Sequence, residues 1–355
     1  MINLLILSNM GPSTNKPQSG LFVHNQFKEL RDSHHEAFAT EYFYLDQEEK
    51  AGLAKLFRYP LFFVRFLWRY IFAIKTQNII HVHFYFPTII LAAAYKWFRN
   101  PKVKILVTYH GSDIYKYMPP NAIYRLLSKC VDEHIFVSEN LKQQFFTPIE
   151  GYVLSAGVSS CYYEQQTDVK HKSVDIMFVG RLDENKGSER LISLIKSTPK
   201  LRFLVVGQGE YFDELAGHQF NNVTLIANAS PEQLKHYYHQ SKFLLNLSMN
   251  ESFGLVITEA MACGVPTIAT ETDGGKLQIK SGVNGFLLPN NEQWLATNLA
   301  NFIEEKLTLL NDGIDDKTDF YIDYQTLSSN ARASAEPYKL ANVVEELVRL
   351  YRSII

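Results

Sequence analysis

The amino-acid sequence predicts an α/β protein with two parallel sheets, each covered by helices. Short apolar runs alternate with longer segments of helical periodicity, which is typical of parallel sheets that are buried on both faces. This alternation runs twice, first up to about Val153 and again from Asp175. The length of 355 residues also favours two domains, because a single core stops growing at roughly 250–300 residues.

Runs of apolar, β-branched and aromatic residues predict the strands. They are Asn3–Ser8, Ile79–His83, Lys104–Tyr109, Glu133–Val137, Asp175–Val179, Arg202–Val206, Val223–Ile226, Phe243–Leu247 and Thr267–Ala269. The polar stretch Glu164–Ser173 has no apolar cluster, so we predict that the chain crosses there between two Rossmann-like domains. The last segment, Tyr338–Ile355, has the apolar stripe of a helix.

Composition excludes several classes of protein. Hydrophobic residues make up 46% and charged residues 20% of the chain, which excludes a disordered protein. The net charge of −2 and the lack of a recognition motif argue against nucleic acid as a partner. The three cysteines form no CxxC pair, which indicates a reducing compartment. Since the N-terminus also lacks the pattern of a signal peptide, we expect a cytoplasmic protein.

The segment F-V-G-R-L-D-E-N-K-G, Phe178–Gly187, directly follows a predicted strand. Gly180 permits a tight turn, while Arg181 and Lys186 place two fixed cations at the carboxyl end of the strand. Such cations suit a diphosphate whose charge is neutralised without a metal. Solvated surface cations are the alternative, and the glycine-flanked position after a parallel strand favours the diphosphate site.

The segment N-E-S-F-G-L-V-I-T-E-A-M-A-C-G-V-P, Asn250–Pro266, follows the next apolar strand. Ser252–Gly254 is predicted to open a helix, whose free backbone N–H groups would form an anion site. Glu251 and Glu259 lie about two helical turns apart. A capping box that uses Asn250 or Ser252 would explain Glu251 structurally. It would not explain Glu259, which lies deeper in the helix among apolar residues.

Two strand ends in the first half carry further candidates. Ser19-Gly20 precedes a predicted helix, and Gly20 would let the backbone approach a phosphate or sugar. Tyr109-His110-Gly111-Ser112-Asp113 follows a strand; His110 would hydrogen-bond a sugar hydroxyl, and Asp113 would orient it or bind an acceptor. We predict no metal site, because His81 and His83 lie in a strand without a visible third ligand.

Together the S-G, H-G-S-D, F-V-G-R-L-x-x-x-K-G and E-S-F-G-L-V-x-x-E-A-M-A-C-G-V-P segments resemble family 4 of the retaining glycosyltransferases, which have the GT-B fold. The resemblance implies two Rossmann-like domains with parallel sheets facing across a cleft, and a C-terminal helix that crosses back to domain one. We place the acceptor-binding domain at residues 1–163 with the returning helix 338–355. The nucleotide-sugar-binding domain is placed at residues 164–337.

The resemblance also implies a role for each matching residue. The catalytic residues would be His110, Arg181, Lys186 and Glu251; the donor-binding residues would be Gly20, Gly180, Ser252, Phe253, Gly254, Leu255, Val256 and Glu259; Ser19 and Asp113 would bind the acceptor. One departure concerns the donor site, since the family often has G-G-x-P-E where this chain has Gly274-Gly275-Lys276-Leu277-Gln278.

The resemblance implies a retaining transferase that moves a hexose or N-acetylhexosamine from a nucleotide-sugar, on family frequency a UDP-sugar, and the lack of a metal-site motif predicts that it is metal-independent. The acceptor would be a glycan or lipid-linked molecule in cell-surface polysaccharide synthesis. A GDP-mannose-dependent mannosyltransferase, a GT-B nucleotide-sugar epimerase and a non-catalytic nucleotide-sugar-binding partner of a transferase are the alternatives. No cofactor is expected, because the nucleotide-sugar is a substrate.

A long basic span lies in the first half, where no acidic residue occurs from Ala51 to Ser112. Arg58, Arg65 and Arg69 share one side of a predicted helix that also carries Trp68. One interpretation is an interfacial helix drawn to anionic lipid on the inner face of the membrane. The other is a buried helix whose arginines reach out to solvent. The absence of acidic residues favours the membrane surface.

Overall fold

The computed structural model describes residues 1–13, 19–46, 56–72, 76–164, 172–311 and 323–355. They form two compact units, residues 1–157 with 340–355, and residues 158–339. The predicted boundaries at residues 163 and 338 are therefore slightly wrong. Tyr162 and Tyr163, in the 3₁₀ turn Ser160–Tyr163, are buried in the core of the second unit. Most of the predicted crossing Glu164–Ser173 lies outside the described residues.

In the part of the first unit that the structure describes, one six-stranded parallel sheet has the order β2-β1-β3-β4-β5-β6. Its strands are β1 (Ile2–Gly11), β2 (Phe38–Asp46), β3 (Ile79–His83), β4 (Lys104–Tyr109), β5 (Glu133–Phe136) and β6 (Tyr152–Val153). Its helices are α1 (Leu21–Ser33), α2 (Arg58–Phe66) with the π-helix Leu67–Ile71, α3 (Tyr85–Phe98), α4 (Ser112–Tyr115), α5 (Ala122–Ser128) and α6 (Glu139–Gln143).

A second parallel sheet, also six-stranded over the described residues, has the order β12-β11-β10-β7-β8-β9. Its strands are β7 (Val174–Val179), β8 (Phe203–Val206), β9 (Val223–Ile226), β10 (Ser241–Asn246), β11 (Thr267–Thr270) and β12 (Gly285–Leu288). The helices of this unit are α7 (Ser188–Ser197), α8 (Phe212–Gly217), α9 (Pro231–Gln240), α10 (Leu255–Ala262), α11 (Asp273–Gln278), α12 (Glu292–Asn311) and α13 (Tyr324–Ala335), and the 3₁₀ turn Glu336–Tyr338 follows α13.

The central strands are buried on both faces, as their continuous apolar sequences predict. In the second unit the opposite faces of the sheet pack into two separate clusters, one with Ile176 and Phe178 and the other with Met177. This alternation follows from the two-residue period of a strand. The cores therefore consist of a sheet with helices on each face, and polar side chains are left to the strand ends.

The C-terminal helix, α14 (Leu340–Ser353), belongs to the first unit and packs against α1. Its buried residues repeat with helical spacing, and Val344, Leu347 and Tyr351 join the core that contains Leu30 of α1. The predicted apolar stripe and its return to the first unit are confirmed. The structure begins the helix at Leu340, since the 3₁₀ turn Glu336–Tyr338 precedes it.

Three observed strands carry no strong sequence signal. The edge strand β2 mixes Thr40 and Glu41 with its apolar residues, β6 has two residues, and β12 has four residues that begin at the glycine of an Asn-Gly pair. Short or half-polar strands lack the continuous apolar run on which the prediction relies. Among the described residues, no helix is long and apolar enough to cross a membrane.

Candidate functional site

The predicted cationic and acidic segments lie where the strand order of the second sheet reverses. The first strand of this unit, β7, pairs on one side with β8 and on the other with β10. In doubly wound sheets, ligands bind at the carboxyl ends of the strands at such a reversal. The chain reaches Gly180 directly after β7 and Glu251 shortly after β10. The strand order thus brings together two segments that are distant in sequence.

Backbone hydrogen bonds join three strand-end loops of this unit. Met249 N in the loop after β10 donates to Asn185 O in the loop after β7, at 2.7 Å. Gly274 N, at the start of α11 beyond β11, donates to Glu251 O at 2.8 Å. A Cβ atom on Gly274 would overlap Phe253 O, so this close approach requires glycine. The three loops therefore form one bonded surface at the end of the sheet.

Lys186 and Glu251 form an ion pair across the two central loops. Lys186 Nζ donates to Glu251 Oε2, and both side chains are mostly buried, with 28% and 15% of their surface exposed. The backbone N of Lys186 is fixed by Asp183 Oδ1 at 2.9 Å. The structure confirms that these two predicted residues share one site. It also adds that the carboxylate of Glu251 orients the ammonium group of Lys186.

Arg181 shares Asp183 with the backbone of Lys186, and its side chain is more exposed than that of Lys186. Its Nε is 3.3 Å from Asp183 Oδ2, and its Nη2 is 3.9 Å from Glu210 Oε1. Two-thirds of the side chain is exposed, so these contacts hold it weakly. Gly180 precedes it and donates its backbone N–H to Val206 O at 3.1 Å. The guanidinium can therefore turn toward an anion at the strand end.

The helix α10 begins at Gly254, where no side chain caps its backbone. The capping box considered for Asn250 or Ser252 is therefore wrong, and the first N–H groups of the helix have no side-chain cap. Leu255 and Val256 are half-buried there. Phe253 is almost fully buried, with its ring 5.2 Å from that of Tyr338. Because the ring of Phe253 is buried, a ligand at this helix start would contact the backbone of Phe253 and not its side chain.

Gln278 fixes the loop before α10 and was not among the predicted site residues. Its Nε2 donates to Phe253 O and, at 3.3 Å, to Gly254 O. Its Oε1 accepts a hydrogen bond of 2.6 Å from Thr258 Oγ1 on α10. The signal in the sequence was the departure from the G-G-x-P-E pattern. The structure shows its consequence, which is a buried amide that ties α11 to α10.

Glu259 lies on α10 in a largely apolar setting. Tyr238 OH of α9 donates to its Oε2 at 3.0 Å, and Tyr238 is fully buried. Burial raises the pKa of the Glu259 carboxyl to about 7, while the hydrogen bond from Tyr238 opposes this rise. Glu259 is therefore a half-buried carboxyl group that Tyr238 orients.

The first unit has its own reversal of strand order, at β1 and β3. Its order β2-β1-β3 resembles that of flavodoxin-like sheets, where ligands bind at this position. Gly20 caps α1 in the left-handed conformation, with φ of 60°, and its carbonyl accepts from Val23 N and His24 N. Ser19 is half-buried beside it. Both predicted residues therefore lie at the ligand-binding end of this sheet.

His110 follows β4 at the same edge and is held on several sides. Its backbone N donates to Asp113 Oδ1 at 2.9 Å, and its ring packs against Phe22 and Phe84 at centroid distances of 5.0 and 4.5 Å. Burial, with a smaller effect of His81, lowers the pKa of His110. The imidazole is therefore neutral near pH 7 and suited to a neutral hydrogen bond rather than a charge contact.

Asp113 is almost fully buried, with 3% of its surface exposed. Its Oδ1 accepts from His110 N and Gly111 N, and its Oδ2 accepts from Tyr85 N at 3.1 Å. Burial raises its pKa to about 6 against these bonds. Asp113 therefore orders the strand-end loop that holds His110, and its contact with an acceptor stays a prediction.

The predicted membrane helix comprises α2 and the following π-helix. One face is buried, where Phe62, Phe66 and Tyr70 pack around Phe43 of β2. The opposite face exposes a row of apolar side chains, Phe57, Leu61, Val64, Trp68 and Phe72. Arg58, Arg65 and Arg69 lie between the two faces, and Arg69 Nη2 is 3.2 Å from Glu41 Oε2. A helix buried on all sides is therefore excluded. Lys55 and Lys75 lie outside the described residues.

Metal ligands were not predicted. Within the described ranges, no group of three or more His, Cys, Asp or Glu side chains is arranged to hold a metal ion. Asp315 and Asp316, two adjacent acidic residues in a polar segment of the chain, lie outside those ranges. The prediction of metal independence stays a prediction.

Comparison with known proteins places two family models on the chain. The model "Glycosyltransferase Family 4" matches residues 23–149, and the model "Glycosyl transferases group 1" matches residues 163–315. An uncharacterized glycosyltransferase from Methanocaldococcus jannaschii is 26% identical over 223 residues, which cover 60% of this chain and 62% of that protein. The match therefore spans about three-fifths of the length of this relative.

Solved structures share the fold over the whole chain. Sucrose-phosphate synthase from Thermosynechococcus elongatus has a TM-score of 0.74 at 18% identity and covers 100% of this chain and 99% of its own. HepE from Anabaena, in complex with UDP and glucose, has a TM-score of 0.71 at 16% identity, with coverage of 99% and 100%. At this identity the likeness supports the fold alone.

The raised pKa of Glu259 predicts a pH-dependent stability. Between its ordinary value of 4.5 and about 7, the folded protein holds a proton that the unfolded chain has lost. The stabilisation is present below pH 4.5 and is lost as the pH rises through 7. We therefore expect Glu259→Gln, which stays neutral, to raise the melting temperature relative to wild type more at pH 8 than at pH 5.

Tyr238→Phe provides the matched variant, because its phenol lowers the pKa of Glu259. Removal of the Tyr238 hydroxyl group should raise the pKa of Glu259 further, so the loss of stability should extend to higher pH. Melting curves at half-unit steps from pH 5 to 8.5 measure both effects. If the melting temperatures of wild type and Glu259→Gln differed by the same amount at every pH, the raised pKa of Glu259 would be contradicted.

Proposed function

Because the chain belongs to family 4 of the glycosyltransferases and has the GT-B fold, we propose that it moves a hexose or N-acetylhexosamine from a UDP-sugar to a glycan or lipid-linked acceptor. We further propose that the anomeric configuration is retained and that no metal takes part. The observation that carries the proposal is the Lys186–Glu251 pair at the reversal of strand order, next to Arg181 and the start of α10.

The charges of this site suit the bond that would break. Cleavage of the anomeric C–O bond places negative charge on the β-phosphate and positive charge on the sugar. Lys186, Arg181 and the uncapped N–H groups of α10 all belong to this strand-end surface, and together they would stabilise the departing diphosphate. Glu251 would face the sugar. When the donor binds, the ammonium group of Lys186 would share its hydrogen bonds between Glu251 and the phosphate. Two cations also supply charge that a divalent metal would otherwise provide.

The nucleoside would contact Glu259. A carboxylate that accepts from two neighbouring hydroxyl groups is suited to a ribose, and Tyr238 orients it. A UDP donor is supported by the complex of HepE with UDP and glucose, while GDP-mannose remains the alternative. In the first unit, His110 would donate to a sugar hydroxyl beside Gly20 and Ser19. The cytoplasmic location and the role in cell-surface polysaccharide synthesis stay predictions.

Nucleotide binding tests the donor. We expect UDP and UDP-sugars to raise the melting temperature more than GDP and GDP-mannose, since a ligand that binds only the folded protein stabilises it by about 2.7 kcal/mol at 100 times its Kd. Thermal-shift measurements at matched concentrations check this. A larger shift with GDP-mannose would replace the UDP assignment by the mannosyltransferase.

Transfer activity tests the residues. We expect Lys186→Ala and Glu251→Gln each to lower kcat by about 100- to 1000-fold, the loss that follows removal of one preorganised charge-stabilising group. Product formation with the donor that gives the largest thermal shift is measured by mass spectrometry, with and without EDTA. Activity in EDTA should equal that without it.

Lys200→Ala is the control, because Lys200 is exposed in the turn after α7. Wild-type turnover in Lys186→Ala, with a normal melting curve, would overturn the site. Loss of activity in EDTA that Mg²⁺ or Mn²⁺ restores would overturn metal independence. Epimerisation or hydrolysis of the donor that no acceptor alters would favour the epimerase.

A lipid-linked acceptor suits the exposed apolar row of α2, and we propose that this row contacts an anionic membrane. Trp68 and Phe72 expose 78% and 74% of their surface. At the end of α3, which packs against the π-helix, Trp97 and Phe98 are also exposed. Exposed apolar rows of this kind indicate an interaction surface. Aromatic side chains suit the interface of a bilayer, where one end stays wet.

The surrounding charge specifies the kind of surface. Arg65 and Arg69 border the apolar row, and Arg99 and Lys102 follow Phe98. No acidic residue occurs from Ala51 to Ser112. Each cation near an anionic bilayer contributes about 1 kcal/mol. The ion pair with Glu41 reduces the contribution of Arg69 to membrane binding. An anionic lipid surface therefore fits both the aromatic and the basic side chains.

Vesicle flotation tests this surface. We expect the wild type to float with vesicles that contain phosphatidylglycerol and not with pure phosphatidylcholine. Trp68→Ser should weaken binding, and Arg65→Gln with Arg69→Gln should weaken it by roughly tenfold or more. The control, Arg125→Gln with Leu126→Ala, removes an exposed cation and an exposed apolar residue from α5. Equal flotation of all variants, or none of the wild type, would exclude membrane contact here.

A further inference from the structure

Three histidines gather at the carboxyl ends of β3 and β4 in the first unit. The rings of His81 and His83 are 4.3 Å apart, and those of His83 and His110 are stacked at 5.4 Å. His81 and His83 are fully buried, while His110 is half-buried. His83 is the last residue of β3, where it lies opposite Ser8 of β1 and Thr108 of β4. The cluster thus connects the interior of the sheet to its ligand-binding edge.

The hydrogen bonds of His81 are complete within the core. Its Nδ1 pairs with Tyr351 OH of α14 at 2.6 Å, and its Nε2 pairs with Thr108 Oγ1 at 2.7 Å. Hydroxyl groups both donate and accept, so either tautomer of His81 is satisfied. This ring therefore serves the packing of α14 on the sheet and imposes no proton position on its neighbours.

His83 has a more restricted set of partners. Its Nδ1 lies 3.2 Å from His110 Nε2, and its buried Nε2 has no hydrogen-bond partner among the described residues. A neutral imidazole carries one N–H and one bare nitrogen. A proton on Nε2 would bury an N–H group that donates to nothing, which is costly. A proton on Nδ1 donates to His110 instead and leaves only a lone pair without a partner.

This choice fixes the tautomer of His110. If His83 Nδ1–H donates, His110 Nε2 must accept, and the proton of the neutral His110 ring then lies on Nδ1. Protonation of Nε2 would move the proton of His83 to its orphaned nitrogen. Burial lowers the pKa values of both rings, and each is lowered further by a neighbouring histidine. His110 is thereby held as a neutral donor through Nδ1.

The backbone supports the same geometry. Phe84, the residue after His83, has φ of 62°, a conformation that a bulky side chain rarely adopts. Such strain persists only where the surroundings impose it, and it often occurs at functional sites. The ring of Phe84 packs on His110, and Phe22 of α1 covers it further. The turn therefore directs His83 and Phe84 together onto one imidazole.

We propose that His83 is a positioning residue that holds His110 in its neutral Nδ1–H tautomer, so that His110 offers one fixed hydrogen-bond donor to a hydroxyl of the sugar substrate. This rests on the proposed glycosyl transfer, in which His110 contacts the sugar. His83 itself touches no substrate. Its contribution is the orientation and proton position of His110, which a ring without a partner on Nε2 would not keep.

The first test needs no activity. Long-range ¹H–¹⁵N spectra of the ¹⁵N-histidine-labelled wild type, with His110 assigned by the loss of its signals in His110→Gln, identify the protonated nitrogen. We expect Nδ1 to carry the proton of His110 at pH 7. In His83→Leu, which removes the bond to Nε2, we expect a mixture of tautomers. A proton on Nε2 of His110 in the wild type would overturn the proposal.

The second test uses kinetics. We expect His83→Leu to lower kcat by about tenfold with little change of KM, because the donor proton of His110 no longer has a fixed position. His83→Asn should recover most of kcat, because its amide N–H can replace Nδ1–H as the donor. Equal kcat in His83→Leu and wild type would overturn the proposal, as would equal loss in His83→Asn and His83→Leu.

His134→Leu is the matched control, because His134 is a buried histidine of β5 that bonds Tyr109 OH at 2.9 Å. It should alter stability without a change in the His110 signals. The outcomes also separate the two proposals. A wild type that transfers no sugar but shows the Nδ1–H tautomer refutes the proposed function and leaves the positioning intact. Active enzyme with the other tautomer refutes the positioning alone.

Discussion

Helices cover both faces of each parallel sheet, and this burial places the candidate site residues at the ends of the strands. A parallel sheet exposes all carboxyl ends along one edge, and the reversal of strand order opens space between two neighbouring loops. In the second unit the reversal lies between the paired strands β7 and β10, whose loops carry Lys186 and Glu251. In the first unit it lies between the paired strands β1 and β3, next to Gly20 and His83. The chemistry of each unit follows from this constraint.

Within that edge, hydrogen bonds and burial orient the ionisable groups. Lys186 is paired with Glu251, Tyr238 donates to the carboxyl group of Glu259, and burial keeps His110 neutral. Preorganised groups of this kind need little rearrangement when charge develops on a substrate. The exposed Arg181 differs, since its weak contacts with Asp183 and Glu210 leave the guanidinium able to move.

The sequence was sufficient for features that depend on local pattern. The central strands, α14 and the grouping of Arg181, Lys186, Glu251 and Glu259 in one unit followed from apolar runs, helical spacing and strand-end motifs. Features that depend on packing between distant segments were not predictable. The role of Asp113 required its burial among backbone donors, and the contact of His83 with His110 required the register of β3 and β4.

The same distinction applies to Gln278, which stands at the Glu position of the G-G-x-P-E pattern. At this position one side chain must donate to Phe253 O and accept from Thr258 Oγ1. An ionised carboxylate can only accept, and two acceptors would then meet at Phe253 O without a proton between them. The amide satisfies both partners with its two ends, so it keeps the loop before α10 in place. The geometry of this helix start therefore depends on a neutral side chain that donates and accepts, which the sequence pattern alone does not reveal.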